Sequence, residues 1–409
     1  MDALHEQGLR VRDAARVVAQ ASDETRRAVL VDVAERLRNN TDQILAANAL
    51  DLAAYTDVGA GRDRLALNEA RIAGMADALD QLAQMPDPLY EVVHDDVRPN
   101  GLGVQKIRVP LGVIGVVYEN RPNVTSDVAG LCVRSGNAAF LRGSSAATHS
   151  NTAIVALWHE ALAVHGLPID TVSLVADTSH EAVVRFMQLT DVLDCLIPRG
   201  GPNLIRAMRE HARVPYVLDG DGNCHVFVDE SCDMDMAIRI VRNGKTSRPG
   251  VCNATETVLV HRAIADAFLS QLDAALSEVE IRGDAITQSL VSRAVLATEE
   301  DYASEYLDLI LAVKVVSSID EAMDHVARFG TGHSEAIVTS DPAHADRWVR
   351  TVDAAAVLVN ASTRFIDGGE LGLGGEVGIS TQKLHARGPM GLAELTCLKW
   401  VVRGNGQIR

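Results

Sequence analysis

The sequence predicts an α/β protein: two doubly wound α/β lobes, each built on a parallel sheet, plus a β-hairpin that serves oligomerisation. Three observations carry the prediction. Short apolar runs alternate with amphipathic segments from Leu111 to Glu230, the alternation resumes after Cys252, and Pro99-Asn100-Gly101 separates two β-leaning segments. Buried strands joined by helices form parallel sheets covered on both faces, and Asn-Gly supplies the positive φ angles of a tight hairpin turn. At 409 residues the chain exceeds what one hydrophobic core sustains, so two or three domains are expected.

The first ninety residues read helical. Ser22 stands as an N-cap shortly before Glu24, and Val31, Ala34 and Leu37 recur at helical spacing until Asn39-Asn40 breaks the pattern and a second helix follows Thr41. The hairpin occupies 92–109. Strands are then expected at 113–118, 138–141, 172–175, 192–197, 216–218 and 226–228, with helices at 152–164, 181–189 and 202–213. The second series runs through strand 257–260, helix 264–279, strand 307–316, helix 319–329 and strands 336–339 and 355–359. These elements divide the chain into a dinucleotide-binding domain (1–91 and 111–249), a catalytic domain (250–391) and oligomerisation strands (92–110 and 392–409). The strand at 396–402 is expected to pair with the hairpin across a subunit boundary, giving a homo-oligomer, either a dimer or a tetramer of dimers.

Composition excludes several function classes. Hydrophobic residues make up 47% and charged residues 23%, an ordinary globular balance. A formal charge of −17 repels a phosphate backbone, so nucleic acid is not an expected partner, and any anionic ligand needs a local basic or helix-N-terminal site. The N-terminus carries no basic segment followed by an apolar one, and no run approaches the length of a membrane span, so no membrane association and a cytoplasmic location are expected. Six cysteines without a Cys-x-x-Cys pair suit a reducing compartment. No metal is expected: His159-Glu160 and His165 have the wrong spacing for a zinc face and read as a solvated helix surface.

The stretch with most chemistry is Lys245-Thr246-Ser247-Arg248-Pro249-Gly250-Val251-Cys252-Asn253-Ala254-Thr255-Glu256-Thr257. It sets one thiol on a Pro/Gly turn between a helical and a strand pattern, beside cationic groups that stabilise a thiolate. Local pattern alone also fits a buried small hydrophobe. Arg199-Gly200-Gly201-Pro202 lies between a strand and a helix, either a phosphate cradle of N–H groups or a plain turn. Arg142-Gly143-Ser144-Ser145 follows a strand with groups that reach a ribose phosphate, and the lack of an acidic residue just after it leans toward a 2′-phosphorylated cofactor. In Glu119-Asn120-Arg121-Pro122-Asn123 a carboxamide aimed at a developing alkoxide is worth roughly 3 kcal/mol of transition-state stabilisation; the plainer reading is a turn former. The loops from Gly330 to Glu335 and from Arg364 to Gly375 are polar and Gly-rich, suited to holding the polar ends of a small substrate.

Four blocks together resemble the gamma-glutamyl phosphate reductases, a branch of the aldehyde dehydrogenase superfamily. They are Val109 to Val116 running into Arg121-Pro122-Asn123-Val124-Thr125, the Lys245 to Thr257 segment, Gly332-His333-Ser334-Glu335-Ala336-Ile337, and Asn360 to Phe365 continuing through Ser380 to Leu392. The likeness spans nearly the whole chain and implies an aldehyde-dehydrogenase-like fold. It implies NADPH-dependent reduction of L-glutamyl 5-phosphate to L-glutamate 5-semialdehyde with release of phosphate, the second step of proline biosynthesis. It places Cys252 on the family's nucleophile and Asn123 on its Arg-Pro-Asn motif. By their positions at strand ends and in polar loops, Arg142, Ser144, Gly200 and Gly201, with Glu305, are candidates for the cofactor, and Arg121, His333, Ser334 and Arg364 for the substrate. Glu305 falls where related enzymes hold the nicotinamide ribose; a solvated acid fits it equally. The upstream glutamate kinase is a further partner the resemblance implies. Three departures matter. Asn120 stands where the family has Ala, Gly143-Ser144-Ser145-Ala146 lacks a second glycine, and 216–222 lacks the Glu with which aldehyde-oxidising relatives hydrolyse a thioester. The alternatives are an aldehyde dehydrogenase or acyl-CoA reductase acting on another small substrate, and a silent nucleotide-binding subunit.

Overall fold

The computed structural model describes residues 2–56, 60–218 and 220–409. The chain divides into two compact units, one formed by 1–218, 372–378 and 390–409 and the other by 219–371 and 379–389.

In the first unit, helices Ala3–Val18, Asp23–Asn39, Thr41–Ala54 and Glu69–Gln84 form the N-terminal layer. Ser22 caps the second of them by accepting from the Thr25 N–H, and Val29, Leu30, Val33, Ala34 and Leu37 line its buried face. A four-stranded parallel sheet follows in the order Val172–Leu174, Ala138–Gly143, Val113–Tyr118, Cys195–Arg199. Val113–Tyr118 and Ala138–Gly143 are buried along their whole length, and apart from Arg142 near the end of the second their sequences are apolar on both faces rather than alternating. The segment expected as a strand at 216–218 contributes a single bridge, Tyr216 to Leu196. Helix Pro122–Arg134 packs on this sheet, with Pro at its first position supplying a preset φ.

The first unit also carries a three-stranded antiparallel sheet in the order Val92–Val97, Gly103–Pro110, Thr396–Arg403. Gly101 takes φ +85° in the connecting turn, and the Arg98 N–H donates to the Leu102 carbonyl at 2.8 Å. The C-terminal strand therefore pairs with the hairpin of its own chain, Thr396 opposite Pro110 through Arg403 opposite Gly103, and not across a subunit boundary as expected. Alternation within a strand records which residues share a face but not which copy of the chain supplies the neighbour.

The second unit is built on a seven-stranded parallel sheet in the order Val295–Leu296, Glu280–Gly283, Ile310–Val316, Thr255–His261, Cys224–Val228, Ser334–Val338, Ala356–Val359. Cys224–Val228, expected at the end of the first α/β series, thus lies near the middle of this second sheet. A βα repeat looks the same whichever sheet its strand joins, so only the pairing of Cys224–Val228 with Thr255–His261 and Ser334–Val338 assigns it. Phe268, Leu269 and Leu272 from helix Ala265–Ala275 cover one side of the sheet, and Trp348 stacks on Phe227 on the other.

Arg134 shows how the helical layer of the first unit is tied down. It is 1% exposed, and it donates to the carbonyls of Leu82 and Met85 and to the Asp23 carboxylate, which satisfies the last turn of helix Glu69–Gln84. Arg134→Ala should strand those carbonyls and cost about 3 kcal/mol, read as a lower urea midpoint than wild type.

Candidate active site

The site grows from the turn that carries Cys252. Helix Met234–Thr246 ends beside it and strand Thr255–His261 leaves it, while the Ala254 N–H closes the turn onto the Val251 carbonyl at 3.0 Å. Lys245 and Glu256, on either side of the turn, are both fully buried and meet at 2.6 Å. The second Glu256 oxygen accepts from the Leu307 N–H at 3.3 Å, and the Tyr306 ring faces the ammonium at 5.9 Å. Strand register explains how Glu256 reaches its partner. Pairing passes from Cys224–Thr255 directly to His225–Thr257, so Glu256 is the extra residue of a β-bulge, a device that re-aims a side chain. Burial pushes the Glu256 carboxyl up to about 7 and pulls the Lys245 ammonium down, and each is opposed by attraction to the other.

Cys252 itself is half-buried. Gly222 abuts its backbone so closely that a Cβ there would lie 1.6 Å from the Cys252 carbonyl oxygen, while the Gly222 N–H donates to Glu305 at 2.9 Å. Asn253, the next residue, donates to the Ile366 carbonyl at 2.7 Å and accepts from the Arg364 guanidinium, which also reaches Ser247. Arg364 is therefore the cation set on the residue next to the thiol, whereas Lys245 is neutralised by Glu256. Glu305 and Arg364, expected on cofactor and substrate, both border the cysteine turn. His333 and Ser334 are fully buried. The His333 Nδ1 lies 2.7 Å from Ser334 Oγ and 3.6 Å from Cys224 Sγ, so both side chains sit inside the fold against Cys224. Their Gly-flanked polar pattern suggests a surface loop, but Ser334 opens a strand inside the sheet, where its side chain finds partners within the fold.

The remaining candidates belong to the first unit. Asn123 lies in the first turn of helix Pro122–Arg134 rather than in a loop, and its amide donates to Asp127 at 2.9 Å. Desolvation pushes the Asp127 carboxyl up to about 6. Arg121 is the helix N-cap residue and is half-buried. Asn120 has both ends of its carboxamide engaged, donating to Tyr55 Oη at 3.0 Å and accepting from Ser144 Oγ at 2.8 Å. The Gly200-Gly201 turn does not present an open phosphate cradle. The Gly201 N–H donates to the Glu119 carboxylate at 2.9 Å, so an acid of the same chain already lies where an anion would bind. At the neighbouring strand end Arg142 donates to the Thr178 and Ser179 carbonyls, and its buried Nε has no hydrogen-bond partner. An orphaned guanidinium N–H beside Ser144 fits a phosphorylated ribose; a turn closed by Glu119 does not.

The family model for the aldehyde dehydrogenase family matches residues 7–307. Gamma-glutamyl phosphate reductase from Xanthomonas campestris pv. campestris (strain B100) is 50% identical over 406 residues, 98% of each chain, and that from Moorella thermoacetica is 52% identical over 407 residues, 98% of this chain and 97% of the relative. The chain belongs to the gamma-glutamyl phosphate reductases of the aldehyde dehydrogenase family. A crystal structure of gamma-glutamyl phosphate reductase from Thermotoga maritima superposes with a TM-score of 0.96 at 44% identity, covering 100% of both chains. An acetylating aldehyde dehydrogenase from Geobacillus thermoglucosidasius shares the fold, with a TM-score of 0.73 at 16% identity over 99% of this chain and 97% of its own. Sequence reasoning singled out the Cys252 turn but missed Gly222, Cys224, the Lys245–Glu256 pair and Asp127. Only the i, i+4 spacing of Asn123 and Asp127 could have shown one of these contacts in advance.

Lys245→Met should leave Glu256 buried without a counter-charge and destabilise the fold by about 3 kcal/mol. Because the folded Glu256 carboxyl already lies above its unfolded value, folding favours its protonated form and loses that advantage as the pH rises. Without the ammonium the carboxyl lies higher still. The deficit of Lys245→Met against wild type should therefore grow between pH 5 and pH 8, as followed by urea unfolding across that range.

Proposed function

We propose that this chain reduces L-glutamyl 5-phosphate to L-glutamate 5-semialdehyde with release of phosphate, through a thioester on Cys252, in proline biosynthesis. The observation that carries the reading is the half-buried thiol on a turn clamped from both sides, with the Arg364 guanidinium on the adjacent Asn253. The curated relatives, at about half identity over nearly the full chain, support the same substrate.

In this reading the Cys252 thiolate attacks the acyl-phosphate carbonyl. A C–S bond forms, the C–O bond to phosphate breaks, and phosphate departs without a strong general acid because it is a stable anion. The amide of Asn123 donates to the substrate oxygen that becomes negative during attack. Arg121 and Arg364 supply positive charge for the substrate's anionic groups. NADPH, when bound, supplies the hydride that takes the acyl group to the aldehyde level. Arg142 and Ser144 are the residues that would hold its phosphorylated ribose, and the orphaned Arg142 Nε favours the 2′-phosphate form. Collapse of the reduced adduct expels aldehyde and regenerates the thiolate. The absence of Glu from 216–222, of which Asp219 lies outside the described residues, suits a thioester that must survive hydrolysis.

Cys252→Ala should abolish phosphate-dependent oxidation of glutamate semialdehyde, by at least about 10⁴-fold in kcat, while the affinity for NADPH measured by fluorescence stays near wild type. Retained turnover would refute the assignment, and a requirement for water or coenzyme A in place of phosphate would move the chain to another acyl-thiol chemistry.

The antiparallel sheet supports a homo-oligomer. Val97 is 71% exposed and Trp400 57%, and Leu398 and Val402 lie on the same face of the C-terminal strand as Trp400. Both outer strands of this sheet present open edges among the described residues, a pairing surface for a second copy. Trp400→Asp should shift the elution volume on size exclusion toward the monomer. Among the described residues no helix is long and apolar enough to cross a membrane, and six unbridged thiols suit the reducing cytoplasm. Delivery of the short-lived acyl phosphate would fall to the upstream glutamate kinase.

A further inference from the structure

We propose that Cys224 is a positioning residue for the nucleophile: its buried thiol holds the Cys252 carbonyl and so sets the direction in which the Cys252 side chain leaves the turn. The inference rests on Cys252 being the nucleophile, and it assigns a task to a second cysteine that touches no substrate.

Cys224 opens the strand Cys224–Val228, and its Sγ lies 3.2 Å from the Cys252 carbonyl oxygen. A carbonyl can only accept, so the thiol must be the donor. Burial pushes the Cys224 thiol well above its usual range, and the neighbouring Glu335, Glu256 and Glu305 push the same way, so the proton stays on sulfur. The sulfur also lies 3.6 Å from His333 Nδ1, itself 2.7 Å from Ser334 Oγ. His333 and Ser334 are fully buried, so the thiol sits among packed neighbours.

Two further features converge on the same carbonyl. The Gly222 backbone lies against it with no room for a Cβ, and the Cys224 N–H returns to the Gly222 carbonyl at 2.9 Å, so 222–224 forms one rigid hook around the Cys252 peptide. The register shift at Cys224–His225 then places the hook, because without the bulge at Glu256 the Cys224 side chain would face a different neighbour across the sheet. A thiol is a weak donor, so its contribution to stability is small. Its effect on reactivity is geometric: the acyl carbon must lie within about 3.5 Å of sulfur along the attack line, and a small rotation of the Cys252–Asn253 peptide, to which that carbonyl belongs, moves the sulfur off it.

The test compares Cys224→Ala, which removes the donor, with Cys224→Ser, which keeps one. Wild type and variants are assayed for phosphate-dependent oxidation of glutamate semialdehyde, for the rate of Cys252 alkylation by iodoacetamide resolved by mass spectrometry, and for thermal midpoint. Cys224→Ala should lower kcat about tenfold with KM changed less than about twofold and slow Cys252 alkylation, while Cys224→Ser should recover most of the loss. Wild-type kcat in Cys224→Ala would overturn the proposal, as would a Cys224→Ser no better than Cys224→Ala at equal thermal midpoints. Should Cys224→Ala not fold, Cys224→Val fills the volume without a donor, and full activity in it overturns the proposal equally. Failure of the premise is read separately: turnover retained by Cys252→Ala removes the nucleophile itself, whatever Cys224 does.

Discussion

A buried ion pair is the constraint on which the surroundings of Cys252 depend. Lys245 and Glu256 are removed from water together, and neither charge is tolerable without the other. Because one closes a helix and the other opens a strand, their contact fixes the separation of the two ends of the cysteine turn. The loop between them has little freedom left. Tyr306 and the Leu307 N–H complete the coordination of the pair, which extends the same restraint to the segment carrying Glu305. A turn held this way is already ordered, its ordering cost met on folding.

The first unit solves a related problem at the end of its parallel sheet. Three consecutive residues after strand Val113–Tyr118 tie separate segments together: Glu119 closes the Gly201 turn, Asn120 bridges Tyr55 and Ser144, and Arg121 starts the helix bearing Asn123. Side chains of such short reach can do this only because parallel strands deliver their carboxyl ends to one rim. The Asn123–Asp127 contact follows the same economy. A carboxylate one helical turn away can only accept, so it fixes which end of the Asn123 carboxamide is nitrogen.

Legibility in the sequence followed the range of the interactions. The cap at Ser22, the break at Asn39-Asn40, the Asn-Gly hairpin and the parallel α/β pattern were readable because each rests on neighbours within a few residues. The Cys252 turn was readable for the same reason. The sheet to which Cys224–Val228 belongs, the intrachain pairing of Thr396–Arg403 and the interior position of His333 and Ser334 were not, since each depends on residues far along the chain. The Gly200-Gly201 turn misled for a subtler reason. An N–H pattern that suits phosphate suits a carboxylate equally, and Glu119 lies about eighty positions away in the chain.

By itself, then, the amino-acid order determined the kinds of element, the turn that bears Cys252 and membership of a reductase family, all of which reside in local periodicity and in contiguous motifs. Tertiary structure alone decided what faces that thiol's backbone. The 222–224 segment, Glu305 and Arg364 gather at the Cys252 turn from far along the chain, and no local propensity encodes their meeting. The physical reason is that hydrogen bonds and buried charges are satisfied by whichever partner packing brings within about 3 Å, and packing is a property of the whole folded unit.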